Sequence, residues 1–227
     1  MEKTFRFLMK TIFIIATILI MAFFFVVVLQ WWDPPSITVD VANPEIFWFF
    51  SRSSAFVAYL LLWLSMVFGL FLTTKLAKQM NVFHQINELH KFISLTGLGF
   101  VAIHALVLLG DQYIQTSFLQ ILLPFFFTSY LPIAVGLGQI GFYFFLLLVA
   151  SFYIRKRIGG KTWRAIHYFS FGGYFLSLLH AVFSGTDTSD PTAQFLYWFT
   201  AGVVVFLIIY RLLNLIEVDS KVRPAIN

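Results

Sequence analysis

Residues 88–109 read ELHKFISLTGLGFVAIHALVLL and residues 163–184 read WRAIHYFSFGGYFLSLLHAVFS. Each is an apolar stretch of membrane length that carries two histidines. His90 and His104 lie fourteen positions apart, and His167 and His180 lie thirteen apart. An imidazole is costly to keep in hydrocarbon, so an ionisable residue inside a span is a functional candidate. Two pairs at near-equal spacing point to something bound at two depths of the bilayer, and two stacked haems fit that pattern best.

Composition agrees with a membrane setting. Of 227 residues, 60% are hydrophobic and 11% charged, with 30 phenylalanines, which excludes an ordinary soluble domain. Without a long polar block, residues 1–227 are expected to form one membrane domain. Cysteine is absent, which removes disulfides, thiolate-held iron–sulfur clusters and covalent c-type haem. The net charge of +5 reads as basic residues kept on the cytoplasmic side of a membrane, with no nucleic-acid partner expected.

Six stretches are long enough for a bilayer core that takes roughly 20 helical residues. They run over 7–30, 46–72, 89–109, 133–154, 163–184 and 193–213. The expected fold is therefore an all-α membrane protein, a six-transmembrane-helix bundle. The apolar run in the first stretch is too long for a signal peptide, and no small-residue cleavage site precedes Asp33-Pro34-Pro35. Placing the amino terminus in the cytoplasm puts fourteen Lys and Arg inside and only Arg52 outside, so both termini are expected to be cytoplasmic. Residues 118–132, broken by Pro124 and Pro132, are expected to cap the outer end.

In that topology the third and fifth spans run parallel. His90 and His167 fall near their cytoplasmic starts, and His104 and His180 near their outer ends. At 1.5 Å per residue the two separations are about 21 Å and about 19.5 Å, so the depths match. Each layer then offers one imidazole from each helix, the axial pair of a six-coordinate haem iron. Rotation matches less well. Fourteen residues return to within about 40° of one face, whereas thirteen leave side chains about 140° apart on an ideal helix. Gly172-Gly173 is the expected place for a compensating kink, or else a surface for close packing. Imidazoles also suit metal transport, but such paths usually add carboxylates, and the predicted helix interiors contain no Asp or Glu. His84 reads as a surface histidine of the inner loop.

Glu88-Leu89-His90 through Ile103-His104-Ala105, with Trp163-Arg164-Ala165-Ile166-His167 through Leu179-His180-Ala181, resemble the ferric reductase-like transmembrane domain. This is the six-helix haem core shared by ferric reductases and NADPH oxidases, and the likeness spans nearly the whole chain. It resembles a standalone prokaryotic form without flavin and nicotinamide domains. The resemblance implies two b haems stacked between the third and fifth helices, with His90, His104, His167 and His180 as axial ligands of the haem iron. Electrons would pass from the cytoplasm to the outer face.

Near the outer end of the second span, Arg52 reads either as an interfacial arginine or as a partner for an outer-haem propionate, and the resemblance favours the propionate. On the inner side Arg164, at the start of the fifth span, is the candidate for an inner propionate. Where the oxidases carry one more histidine in the third helix, this chain has Leu108, so dedicated superoxide production is not expected. Gly97-Leu98-Gly99 is no dinucleotide fingerprint, because it lies within a span, and no flavin or NAD(P) site is expected in this chain. The donor would be a cytosolic flavin reductase or membrane quinol, and the outer-face acceptor is not identified by the sequence. The expectation is an oxidoreductase electron-transfer subunit, multi-pass in the lipid bilayer of the inner (cytoplasmic) membrane. A metal-ion or small-solute transporter and a non-catalytic haem-binding sensor or assembly subunit are the competing readings.

Overall fold

The computed structural model describes residues 45–222 except 75 and 129, with side chains described over 46–213. The expected first span, 7–30, and both termini lie outside the described residues. Among the described residues the regular structure is entirely helical. The elements are α1 (Glu45–Thr73), α2 (Leu76–Gln79), α3 (Phe83–Val107), α4 (Phe118–Leu122), α5 (Pro132–His167), α6 (Phe169–Ser184) and α7 (Pro191–Val222), and a 3₁₀ turn at Leu108–Gly110 extends α3.

Four helices are long and apolar enough to cross a membrane: Ile46–Thr73, Phe83–Gly110, Pro132–His167 and Pro191–Leu213. The expected third span begins six residues earlier than 89, at Phe83, so His84 stands exposed in the first helical turn rather than in a loop. Glu88 thereby enters the helix, where it remains exposed and pairs with Lys91 at 2.6 Å.

The expected fourth and fifth spans divide within the expected 155–162 connection, at Gly159, where φ is 80° and ψ 155° and two helices meet at a kink within α5 (Pro132–His167). Helix extends further into that connection from both sides than the sequence reading allowed. That left-handed φ is open to glycine and penalised for a side chain bearing Cβ. Helix α6 alone has 16 residues, too few for a full crossing, and needs the segment after Gly159 to complete one.

α1 packs most extensively along α3, α5 along α6, and α7 against α1. A core of Trp63, Met66, Leu70, Tyr174 and Val204 joins α1, α6 and α7. Two polar groups buried there are paired: Tyr59 Oη lies 2.5 Å from Thr200 Oγ1, and Trp63 Nε1–H donates to the Thr200 carbonyl at 3.2 Å, whereas among the described residues the buried Tyr174 Oη has no hydrogen-bond partner. Charge is segregated along the bundle. Lys91 and Arg155 both stand over the Phe152 ring, at 5.6 and 3.9 Å, marking a basic end. The opposite end holds Asp111, Asp187 and Asp190, with Arg52 paired to Asp187.

The connection between α3 and α5 forms the expected cap. Ser117 and Gln120 close a capping box around α4, and Pro132 opens α5. Gln139 Nε2–H of α5 then donates to the carbonyls of Gln120 and Ile121 at 2.6 and 2.7 Å, tying the cap to the bundle.

Candidate functional site

The four histidines meet as two pairs. The rings of His90 and His167 have centroids 6.2 Å apart with planes at 66°, and those of His104 and His180 repeat both values. Each pair takes its members in the same chain order, so the two histidine-bearing segments run parallel. The separation is informative. With metal–imidazole bonds of about 2.0–2.1 Å, and about 1.1 Å from ring nitrogen to centroid, two imidazoles on opposite sides of one metal have centroids about 6.3 Å apart.

Rotation is matched by a break in the helix, not at Gly172-Gly173 but one turn earlier, at Tyr168. There the Tyr168 N–H bonds Ala165 O and the Phe171 N–H bonds Tyr168 O, both at 3.2 Å and both three residues apart. At three residues per turn each step rotates about 20° further than in an α-helix, so tightening at Tyr168 turns His180 toward the face of His167. Gly172 and Gly173 serve the other purpose considered for them, close packing. Added Cβ atoms would lie 3.1 Å from Phe144 and 3.3 Å from Phe145.

Three of the rings are anchored through Nδ1 to backbone carbonyls. His90 Nδ1–H donates to Ser65 O, His104 Nδ1–H to Ser51 O and His180 Nδ1–H to Ala134 O, each at 2.9 Å. A carbonyl only accepts, so the proton sits on Nδ1 and Nε2 keeps the lone pair that binds a metal. Ser51 and Ser65 are fourteen residues apart on α1, as His90 and His104 are on the antiparallel α3. One face of α1 therefore serves both layers. The Ser51 and Ser65 hydroxyls approach the same Nδ1 atoms at 3.0 and 3.3 Å. His180 lies against Gly138 of α5, where a Cβ would come within 2.6 Å of the imidazole Cγ. The fourth ring differs: among the described residues, buried His167 Nδ1 has no hydrogen-bond partner.

A cavity of about 580 Å³ surrounds the outer pair. His104 and His180 both line it, with small residues Ala55, Ala58, Ala102, Ala105 and Gly138 giving room for a broad flat group, and Leu108 also on the wall. The volume falls within the range of cofactor sites, about 300–1,000 Å³. Arg52 lines the same cavity, but it already has company: its guanidinium pairs with Asp187 and stands 4.9 Å over the Trp48 ring. Arg164 is exposed, one turn before His167. The structure thus brings Arg52 to the outer pair and leaves Arg164 on the surface near the inner pair. Sequence reasoning missed Ser51, Ser65, Gly138 and the Ala134 carbonyl. Only the fourteen-residue serine spacing was a signal available beforehand.

The donor set discriminates between ligands. Among the described residues no group of three or more His, Cys, Asp or Glu is placed to hold a metal. Two imidazoles leave a bare zinc ion two ligands short of its usual four. They complete a metal that brings four equatorial nitrogens of its own. The residues present therefore fit a haem at the His104–His180 pair, where the cavity lies, and the same ring geometry recurs at the His90–His167 pair.

A protein-family model described as "Domain of unknown function (DUF8596)" matches residues 46–187, which include both histidine pairs. No curated protein matches, and no solved structure matches.

Proposed function

The chain belongs to the DUF8596 family, and we propose that it is a di-haem b electron-transfer protein of the cytoplasmic membrane. It would carry electrons from a cytoplasmic flavoprotein or quinol to an acceptor at the outer face, in the manner of the ferric reductase-like domain. The carrying observation is the repetition of one ring geometry, 6.2 Å and 66°, at two depths of a single bundle. Each bound haem would supply a one-electron couple.

The protein's own part is to set the positions and basicity of the axial nitrogens. His90 and His167 would hold the inner group, and His104 and His180 the outer. The Nδ1 bonds to Ser65, Ser51 and Ala134 fix ring orientation and raise imidazole basicity, the usual work of groups behind a metal ligand. Two protein ligands per iron leave no open position, which favours electron transfer over oxygen binding. The walls of the outer cavity are largely apolar, and Arg52 at that cavity would supply the positive charge to meet a propionate. Lys91, Arg155 and Arg211 gather at the end that the positive-inside rule assigns to the cytoplasm.

Expression with ample haem supply, followed by visible spectroscopy, tests the reading. The wild type should show low-spin b-haem bands that sharpen on reduction. The double variant His104→Ala, His167→Ala, which breaks both pairs, should lose them. A helical, monodisperse wild-type protein that never takes up haem would overturn the proposal.

A further inference from the structure

The four axial candidates are not held alike, and the difference falls on one centre. His104 and His180 each give Nδ1–H to a carbonyl at 2.9 Å, so both ligands of the outer centre are anchored. At the inner centre His90 is anchored to Ser65 O, whereas among the described residues His167 Nδ1 has no partner. The indole beside it cannot help. Trp163 stands one turn earlier with its ring 5.0 Å from His167, but its Nε1–H is only a donor and, among the described residues, is itself buried without a partner. His167 is also the last residue before the break at Tyr168, at the end of a short segment that begins after Gly159. The other three rings lie within continuous helix.

We propose that His167 is an exchangeable ligand, and that the inner centre, unlike the outer, admits a small uncharged diatomic molecule when reduced. This rests on the di-haem reading above. Loss of a hydrogen-bond partner behind a metal-bound histidine weakens metal binding by about 10–100-fold. The bond to His167 is therefore the one that an incoming ligand displaces. Exchange breaks the iron–Nε2 bond, Nε2 keeps its electron pair, and the incoming molecule donates its own pair to the iron. No electron enters or leaves the centre. Size follows from the surroundings, since the space opened is that of one imidazole under the Trp163 ring, and a reduced, electron-rich iron favours an uncharged ligand. The activity implied is gas sensing or gas inhibition at the electron-entry end of the relay.

Carbon monoxide, titrated into the dithionite-reduced holoprotein, reads this directly. One equivalent per two haems is expected to form an adduct, the other haem keeping its six-coordinate spectrum. Trp163→Gln puts an amide oxygen one turn before His167, as an acceptor for Nδ1–H, and should weaken carbon monoxide binding by about tenfold or more. Gly138→Ala, expected to hold the inner haem alone, should bind one equivalent per remaining haem. Adducts on neither haem or on both overturn the inference. So does unchanged affinity in a Trp163→Gln protein that carries both haems. The wild-type stoichiometry decides even if a variant does not fold. A wild type without haem would instead refute the proposed function.

Discussion

Replacing Gly138 by alanine is the sharpest single perturbation of the outer centre. The new Cβ would stand 2.6 Å from Cγ, 2.7 Å from Nδ1 and 2.9 Å from Cδ2 of His180. Carbon atoms in contact prefer about 3.5–4.0 Å, so the ring must retreat by about 1 Å. Metal sites tolerate about 0.2 Å in ligand distance, so the shift is several times what an axial bond absorbs. The same retreat lengthens the 2.9 Å bond from Nδ1 to Ala134 O beyond hydrogen-bonding range. Overpacking adds about 1–3 kcal/mol of destabilisation. Haem content per chain, measured beside far-ultraviolet circular dichroism, should fall from two to one while helicity holds. Gly99→Ala is the matched control, because among the described residues nothing lies within 4 Å of its added Cβ, and it should keep both haems. If Gly138→Ala keeps two haems with an unchanged spectrum, the placement of His180 against α5 is wrong.

Arg52→Ala should shift the redox midpoint of the outer haem more than that of the inner. Equal shifts in a potentiometric titration would leave Arg52 as no more than the ion-pair partner of Asp187. Thr200→Val removes the hydroxyl 2.5 Å from buried Tyr59 Oη and should cost about 1–3 kcal/mol, read as a lower midpoint of thermal unfolding in detergent. Asp190 accepts the Thr192 and Ala193 N–H groups at 2.7 and 3.3 Å, and the Thr192 bond foremost holds its carboxyl below the usual range. A folded-state pKa below the unfolded value stabilises at pH above the ordinary carboxylate range and is lost as pH falls through the folded value. Stability measured against pH should therefore decline in acid, and Asp190→Asn should flatten that part of the curve.

How far the sequence disclosed this arrangement depends on the range of the interactions involved. Spans 46–72 and 133–154, and the pairing of His90 with His167 and His104 with His180, follow from apolar length and helical rise, which are local properties. The break between the expected fourth and fifth spans was legible in the basic run of Arg155, Lys156, Arg157 and Lys161, which brackets the kink at Gly159, but the extension of helix into that run from both sides was not. The 140° mismatch was visible, but its remedy was not, since the tightening at Tyr168 rests on backbone bonds that no side chain announces. Gly138 looked like any glycine in a span. Its role appears only when α5 lies against α6 and an imidazole takes the place of the missing Cβ. The anchors on α1 are backbone carbonyls, invisible to any reading of side-chain chemistry.

The haem content of the purified wild-type chain tests the central claim most directly. A quantitative haem assay on protein made with ample haem supply should return two b haems per chain, both low-spin and both reduced by dithionite. A folded, helical protein that remains colourless under those conditions would contradict the account.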